Sequence, residues 1–137
     1  MRQHLTTLAI LLFLSHASYG EPATTTAGVF TKEQAARGEA AYNKDCASCH
    51  GGDLKSTDRE VPNLTGGPFD SGWVGKTVAE KFEVTRDTMP PRDERSLSNQ
   101  VYLDIVTYIL QFNKVPAGGM ELKPDMDALK KIVIAKP

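Results

Sequence analysis

Cysteine and histidine are scarce in this chain, with 2 and 3 copies among 137 residues. His4 and His16 fall within the first 20 residues, so everything after them carries one histidine, His50, and both cysteines, Cys46 and Cys49, just ahead of it. A structural zinc site takes about four protein ligands, and a catalytic one three with an open position. After these three residues only a carboxylate is left to complete a tetrahedron. Basic clusters are missing too: the formal charge is −1, without the concentrated positive face of a nucleic-acid binder. Aromatics make up only 7 % of the chain, and a small domain with so few large apolar residues is marginal unless something else supplies a core. Long hydrophobic runs are absent as well. The stretch from Leu5 to Leu14 falls short of the ~20 residues that span a bilayer, and no longer one follows, so no stable membrane insertion is expected once that stretch is removed.

Arg2, the apolar stretch after it and the small residues Ser18 and Gly20 have the order of a secretory signal. The expected organisation is a signal peptide at 1–20 cleaved after Gly20, a flexible lead-in at 21–29, one domain at 30–117 and a C-terminal extension at 118–137. An uncleaved leader serving as an anchor is the alternative. Cleavage leaves 117 of the 137 residues, enough for one small domain. It also removes one of 16 Lys and Arg, so 15 face 17 Asp and Glu and the mature chain carries a net −2. Export leads to the periplasm or an equivalent oxidising compartment.

What the chain does contain is Cys46-Ala47-Ser48-Cys49-His50, a C-x-x-C-H run. This is the attachment pattern of c-type haem. Two thiols add across the porphyrin vinyl groups and the adjoining histidine ligates iron, so Cys46, Cys49 and His50 take three separate tasks. A simple disulfide or a thioredoxin-like dithiol also uses C-x-x-C, but neither accounts for the histidine. One buried, covalently attached haem c would also provide the core that the composition lacks.

Helical signals surround this run. Thr31-Lys32-Glu33-Gln34 has capping-box form, with Thr at the N-cap and Gln at N3, and opens a helix through Gly38 and Tyr42 toward Cys46. Thr77-Val78-Ala79-Glu80 is a second such box, starting a short helix through Val84 with Val78 and Phe82 on one face, and beyond Thr85 the prolines Pro90 and Pro91 favour an extended loop over Arg86 to Pro91. Ser98 caps the clearest helix, Asn99 to Phe112, in which Val101, Ile105, Tyr108, Ile109 and Phe112 form one apolar stripe. Gly51-Gly52 and the segment Val61 to Pro68 read as loop, and Asp125 to Lys131 as a last short helix.

A haem bound by His50 leaves a sixth iron position, and its occupant separates electron transfer from gas or substrate chemistry. With one histidine after the leader, a second histidine from the same molecule is excluded. Met89, Met120, Met126, a lysine or an open site remain. Met89 is favoured because Pro90 and Pro91 stiffen the backbone that presents it, whereas Met120 follows the flexible pair Gly118-Gly119.

Gly38 and Tyr42 ahead of Cys46-Ala47-Ser48-Cys49-His50, then Pro62-Asn63-Leu64, Thr88-Met89-Pro90-Pro91 and the final amphipathic helix together resemble a class I c-type cytochrome over about Phe30 to Ala117. The Ser98 to Gly119 stretch is also similar to cytochrome domains associated with quinoprotein dehydrogenases. The resemblance implies an all-α, cytochrome c-like fold whose N- and C-terminal helices cross around the haem, Gly38 sitting near Tyr108. It implies that the Pro62 carbonyl accepts a hydrogen bond from the second ring nitrogen of His50, and that Trp73 stands near the haem propionates or in the core. The expected function is a periplasmic mono-haem carrier of single electrons with iron held by His50 and Met89, not an enzyme. Its partners are then redox proteins: a donor dehydrogenase, an acceptor oxidase or another cytochrome. Two alternatives are kept. One is a dedicated electron-accepting subunit of an oxidoreductase such as a quinoprotein alcohol dehydrogenase, tethered by the apolar tail Ile132-Val133-Ile134. The other is a haem sensor with an open sixth site.

Overall fold

Hydroxyl side chains start the three long helices. The computed structural model describes residues 23–137, so the leader expected at 1–20 and the first two residues of the lead-in lie outside it. Thr31 Oγ1 accepts the Gln34 amide at 3.1 Å and opens helix α1, Lys32–Asp45. A four-residue turn, α2, Ala47–His50, follows at once, and α3 spans Gly67–Gly72. Thr77 and Glu80 form a complete capping box at the head of α4, Val78–Thr88. Ser98 Oγ accepts the Val101 amide at 3.3 Å and opens α5, Asn99–Phe112. Asp125 caps the short α6, Met126–Leu129. Two two-residue strands, β1, Ala23–Thr24, and β2, Ile132–Val133, pair in parallel.

The fold is all-α and cytochrome c-like, with this small strand pair added. Helices α1 and α5 form its main packed pair. Gly38 is where they meet, because a β-carbon there would overlap the Asp104 carbonyl oxygen and come 3.0 Å from the Ile105 nitrogen. Tyr108, one turn along α5 from Asp104, packs tilted at 51° against Tyr42, one turn along α1 from Gly38, with ring centroids 5.2 Å apart. The backbone itself fills the space at the glycine, and the aromatic pair sits alongside.

Three sequence expectations need correction. Gln34 does not return to its own N-cap. It is fully buried, and its amide joins Asp104 Oδ1 at 3.0 Å to both backbone groups of Leu122, 3.0 Å to the carbonyl and 2.8 Å from the N–H. Secondly, α4 continues to Thr88, because a proline at position 90 disfavours helical geometry only for the residue before it, Met89. Thirdly, the lead-in and the tail are not loose ends. Thr25 is buried and its hydroxyl bonds to Ala135, 3.0 Å to the carbonyl and 3.0 Å from the N–H. Gly118 N donates to Phe30 O at 2.6 Å, and Ile134 exchanges 2.8 Å backbone hydrogen bonds with Gly75 and Lys76. Leu122, Leu129 and Ile134 are buried in the common core. Each aliphatic side chain so buried contributes about 1.5–3 kcal/mol, which explains why the tail folds back.

Candidate haem site

The C-x-x-C-H run sits at the junction of α1 and α2. The Cys46 N–H continues the α1 ladder to Tyr42 O at 2.8 Å, and the His50 N–H bonds back to Cys46 O at 3.0 Å, so one tight turn presents all three side chains. Gly51 then reverses the chain at φ 79°, where a β-carbon would also collide with the Lys55 carbonyl. Tyr42 fixes this reversal by donating its hydroxyl to Gly51 O at 2.7 Å. The turn is therefore held from the preceding helix and from the loop after it.

His50 is 7 % exposed, and its Nδ1 lies 3.0 Å from Pro62 O, which defines that nitrogen as the donor. The ring is thereby oriented with Nε2 free of hydrogen bonds among the described residues, the arrangement a metal-bound imidazole needs. Pro62 belongs to a segment anchored from α5: Asn113 donates to Leu64 O at 2.9 Å and accepts the Thr65 hydroxyl at 2.9 Å.

On α4, Met89 is the C-terminal cap, in extended conformation with its N–H still bonded to Thr85 O at 3.1 Å. It faces the same cavity as His50. That cavity has a volume of about 620 Å³ and is lined by Cys46, Cys49, His50 and Met89, with Ile105 and Ile109 from α5 as an apolar wall. Met120 is 79 % exposed and Met126 packs at the edge of the core, and neither lines it. Trp73, 8 % exposed and stacked on Phe69 at 5.6 Å, contributes another wall, with Lys81 Nζ 5.4 Å from its ring centroid. Partial burial, aided by nearby Lys76, lowers the Lys81 pKa below the usual lysine range. Two features here were missed at the sequence level. Pro68 at the start of α3 is a recognisable helix-opening signal for the element that carries Phe69 up to Trp73. No local pattern announced that Lys81 would rest on the tryptophan.

Burial, reinforced by the charges of Asp45 and Cys49, pushes the Cys46 thiol up to about 11. Reactive dithiols work by the opposite shift, toward the thiolate. Among the described residues no cluster of three or more His, Cys, Asp or Glu side chains could hold a metal ion by itself. A large apolar cavity with one oriented imidazole, one thioether and two thiols on its walls suits a flat metallocycle instead, and its size falls within the ~300–1,000 Å³ of small-molecule sites.

Residues 33–109 match the family described as cytochrome C oxidase, cbb3-type, subunit III. The chain belongs to this family. It is a c-type cytochrome of class I, a haem-bearing type of domain that serves electron transfer. A search of curated protein sequences returns no match. Among solved structures the cytochrome resembles the sulfane dehydrogenase SoxCD from Paracoccus pantotrophus, with 18 % identity, a TM-score of 0.54, and coverage of 95 % of this chain and 68 % of that one. At that identity the likeness speaks for the fold alone. Among the described residues no helix is long and apolar enough to cross a membrane.

Proposed function

We propose that the protein is an exported mono-haem carrier of single electrons, with haem c attached through Cys46 and Cys49 and its iron held by His50 and Met89. The observation that carries this reading is the meeting of these four side chains on one apolar cavity. Bound there, the group supplies reversible one-electron chemistry at iron, and a neutral thioether favours the reduced state over harder ligands. The chain's own residues do the rest. Pro62 orients His50, Ile105 and Ile109 exclude water, and Lys81 on Trp73 adds a positive charge to the cavity wall. Nothing in this arrangement calls for a catalytic acid, base or nucleophile. Partners are other redox proteins, meeting this one through small and transient contacts.

A tethered-subunit reading rested on the apolar tail, and with Ile134 fully buried in the protein's own core that tail no longer speaks for a docking strap. The test is a visible spectrum of the exported protein, oxidised and reduced, beside Met89→Ala and the double variant Cys46→Ala, Cys49→Ala. Expected are one haem c per chain, loss of the thioether-to-iron absorption band in Met89→Ala, and haem extractable by acidic organic solvent only from the double variant. A wild-type protein that binds CO as fast as Met89→Ala would reject Met89 and favour an open sixth site.

A further inference from the structure

We propose that Tyr102 is the positioning residue for Met89, closing the loop that presents the thioether by bonding both of its ends with one buried hydroxyl. The proposal rests on the reading of Met89 as an iron ligand. Tyr102 stands in the first turn of α5, 1 % exposed. Its hydroxyl donates to Met89 O at 2.9 Å and accepts the Leu97 N–H at 3.4 Å. One O–H donor and one lone pair therefore join the two ends of the segment 89–97. The same loop is also tied at the surface, where Arg95 N donates to Arg86 O at 3.1 Å and Arg95 Nε to Asp87 Oδ1 at 3.0 Å. Arg95 is two-thirds exposed, and exposed ion pairs are weak and screened by salt. The Tyr102 bonds are the shielded ones.

Phenylalanine at position 102 keeps the ring and its packing but leaves the Met89 carbonyl without its donor and the Leu97 N–H without its acceptor. Both groups then gain from opening toward water, and opening withdraws the residue to which the thioether is attached. The loop-open population should rise about tenfold, equivalent to about 1.4 kcal/mol. An external ligand binds only when the sixth position is free, so its apparent affinity rises by the same factor.

The experiment is a titration of the oxidised, haem-loaded full chain with imidazole. Tyr102→Phe should bind imidazole about tenfold more tightly than wild type, and Met89→Ala more tightly still. Tyr108→Phe, at an α5 tyrosine that packs tilted against Tyr42 and does not itself line the cavity, should match wild type. If Tyr102→Phe stays within twofold of wild type while Met89→Ala tightens, the positioning role is overturned and the ligand stands. If Met89→Ala is no tighter than wild type, the ligand assignment falls and the positioning role with it. Should Tyr102→Phe fail to fold, hydrogen exchange at the Leu97 amide of the wild type decides the matter. Saturating imidazole should speed that exchange, and an unchanged rate would overturn the proposal.

Discussion

Replacing Gly38 with alanine separates two physical effects by their sign. In an exposed helix interior the change stabilises by about 1 kcal/mol, since glycine is the poorer helix former. In α1 the added β-carbon would overlap the Asp104 carbonyl and lie 3.0 Å from the Ile105 nitrogen, both backbone atoms of α5. Backbone cannot rotate away as a side chain can, and α5 is fixed at both ends by the Ser98 cap and the Asn113 bonds. Relief therefore requires the two helices to separate, which unpacks their common core. Overpacking costs about 1–3 kcal/mol in general, and a clash with main chain belongs at the upper end. Subtracting the propensity gain leaves a net loss of about 2 kcal/mol. For a domain of this size that lowers Tm by about 8 °C. Thermal and urea unfolding of the haem-loaded protein, followed by circular dichroism, reads the change directly. Gly52→Ala is the control, because a β-carbon at Gly52 meets nothing within 4 Å, and it should shift stability by less than about 0.5 kcal/mol. A Gly38→Ala protein as stable as wild type or more so would refute the crossing argument.

Ile134→Asp places a charge in a site that is 0 % exposed at the end of the tail. It should cost about 4 kcal/mol or more, seen as a lowered urea midpoint, and a near-neutral result would show that the tail detaches at no cost. Glu80→Gln tests the capping box through pH. The Thr77 N–H, at 2.7 Å, and the Thr77 hydroxyl hold the Glu80 carboxyl below the ordinary glutamate range, so its stabilisation is complete above about pH 4.3 and is lost as pH falls through the depressed folded value. Wild type should exceed the variant in stability at pH 6, with the gap closing in acid. A gap independent of pH would contradict the assignment.

The local parts of this molecule were legible in the sequence because local chemistry makes them. Thr77 with Glu80 forms its box within four residues, Ser98 needs only the amide three positions on, and Cys46 to His50 are one turn of backbone. The all-α fold was implied by the family resemblance that these motifs carry. The rest depends on pairings between distant residues. Gln34 fits a capping-box pattern, yet 88 positions separate it from the Leu122 peptide that claims its side chain. Ile132-Val133-Ile134 looks unpartnered until β1 and the Gly75-Lys76 backbone are brought beside it. Composition suggested a poor core for the domain, and a tail counted as an appendage supplies part of it.

Helix α5 explains why the two halves of the site hold a common geometry. Its first turn bonds Met89 O through Tyr102, and its C-cap bonds Leu64 and Thr65 through Asn113, two residues from the carbonyl that orients His50. Between these anchors, Ile105 and Ile109 wall the cavity, and Asp104 meets Gly38 of the helix that leads to Cys46. A rigid 14-residue helix thus spans the attachments of both proposed axial ligands and touches the helix that delivers the thiols. A helix with that many duties cannot shift to relieve strain at one contact without loading the others. The consequence is that stability and ligand geometry share a cause. A substitution at the Gly38 crossing should loosen the sixth ligand as well as lower Tm, whereas Ile134→Asp, which acts at the strand pair, should lower stability with much less effect on imidazole affinity while the protein remains folded.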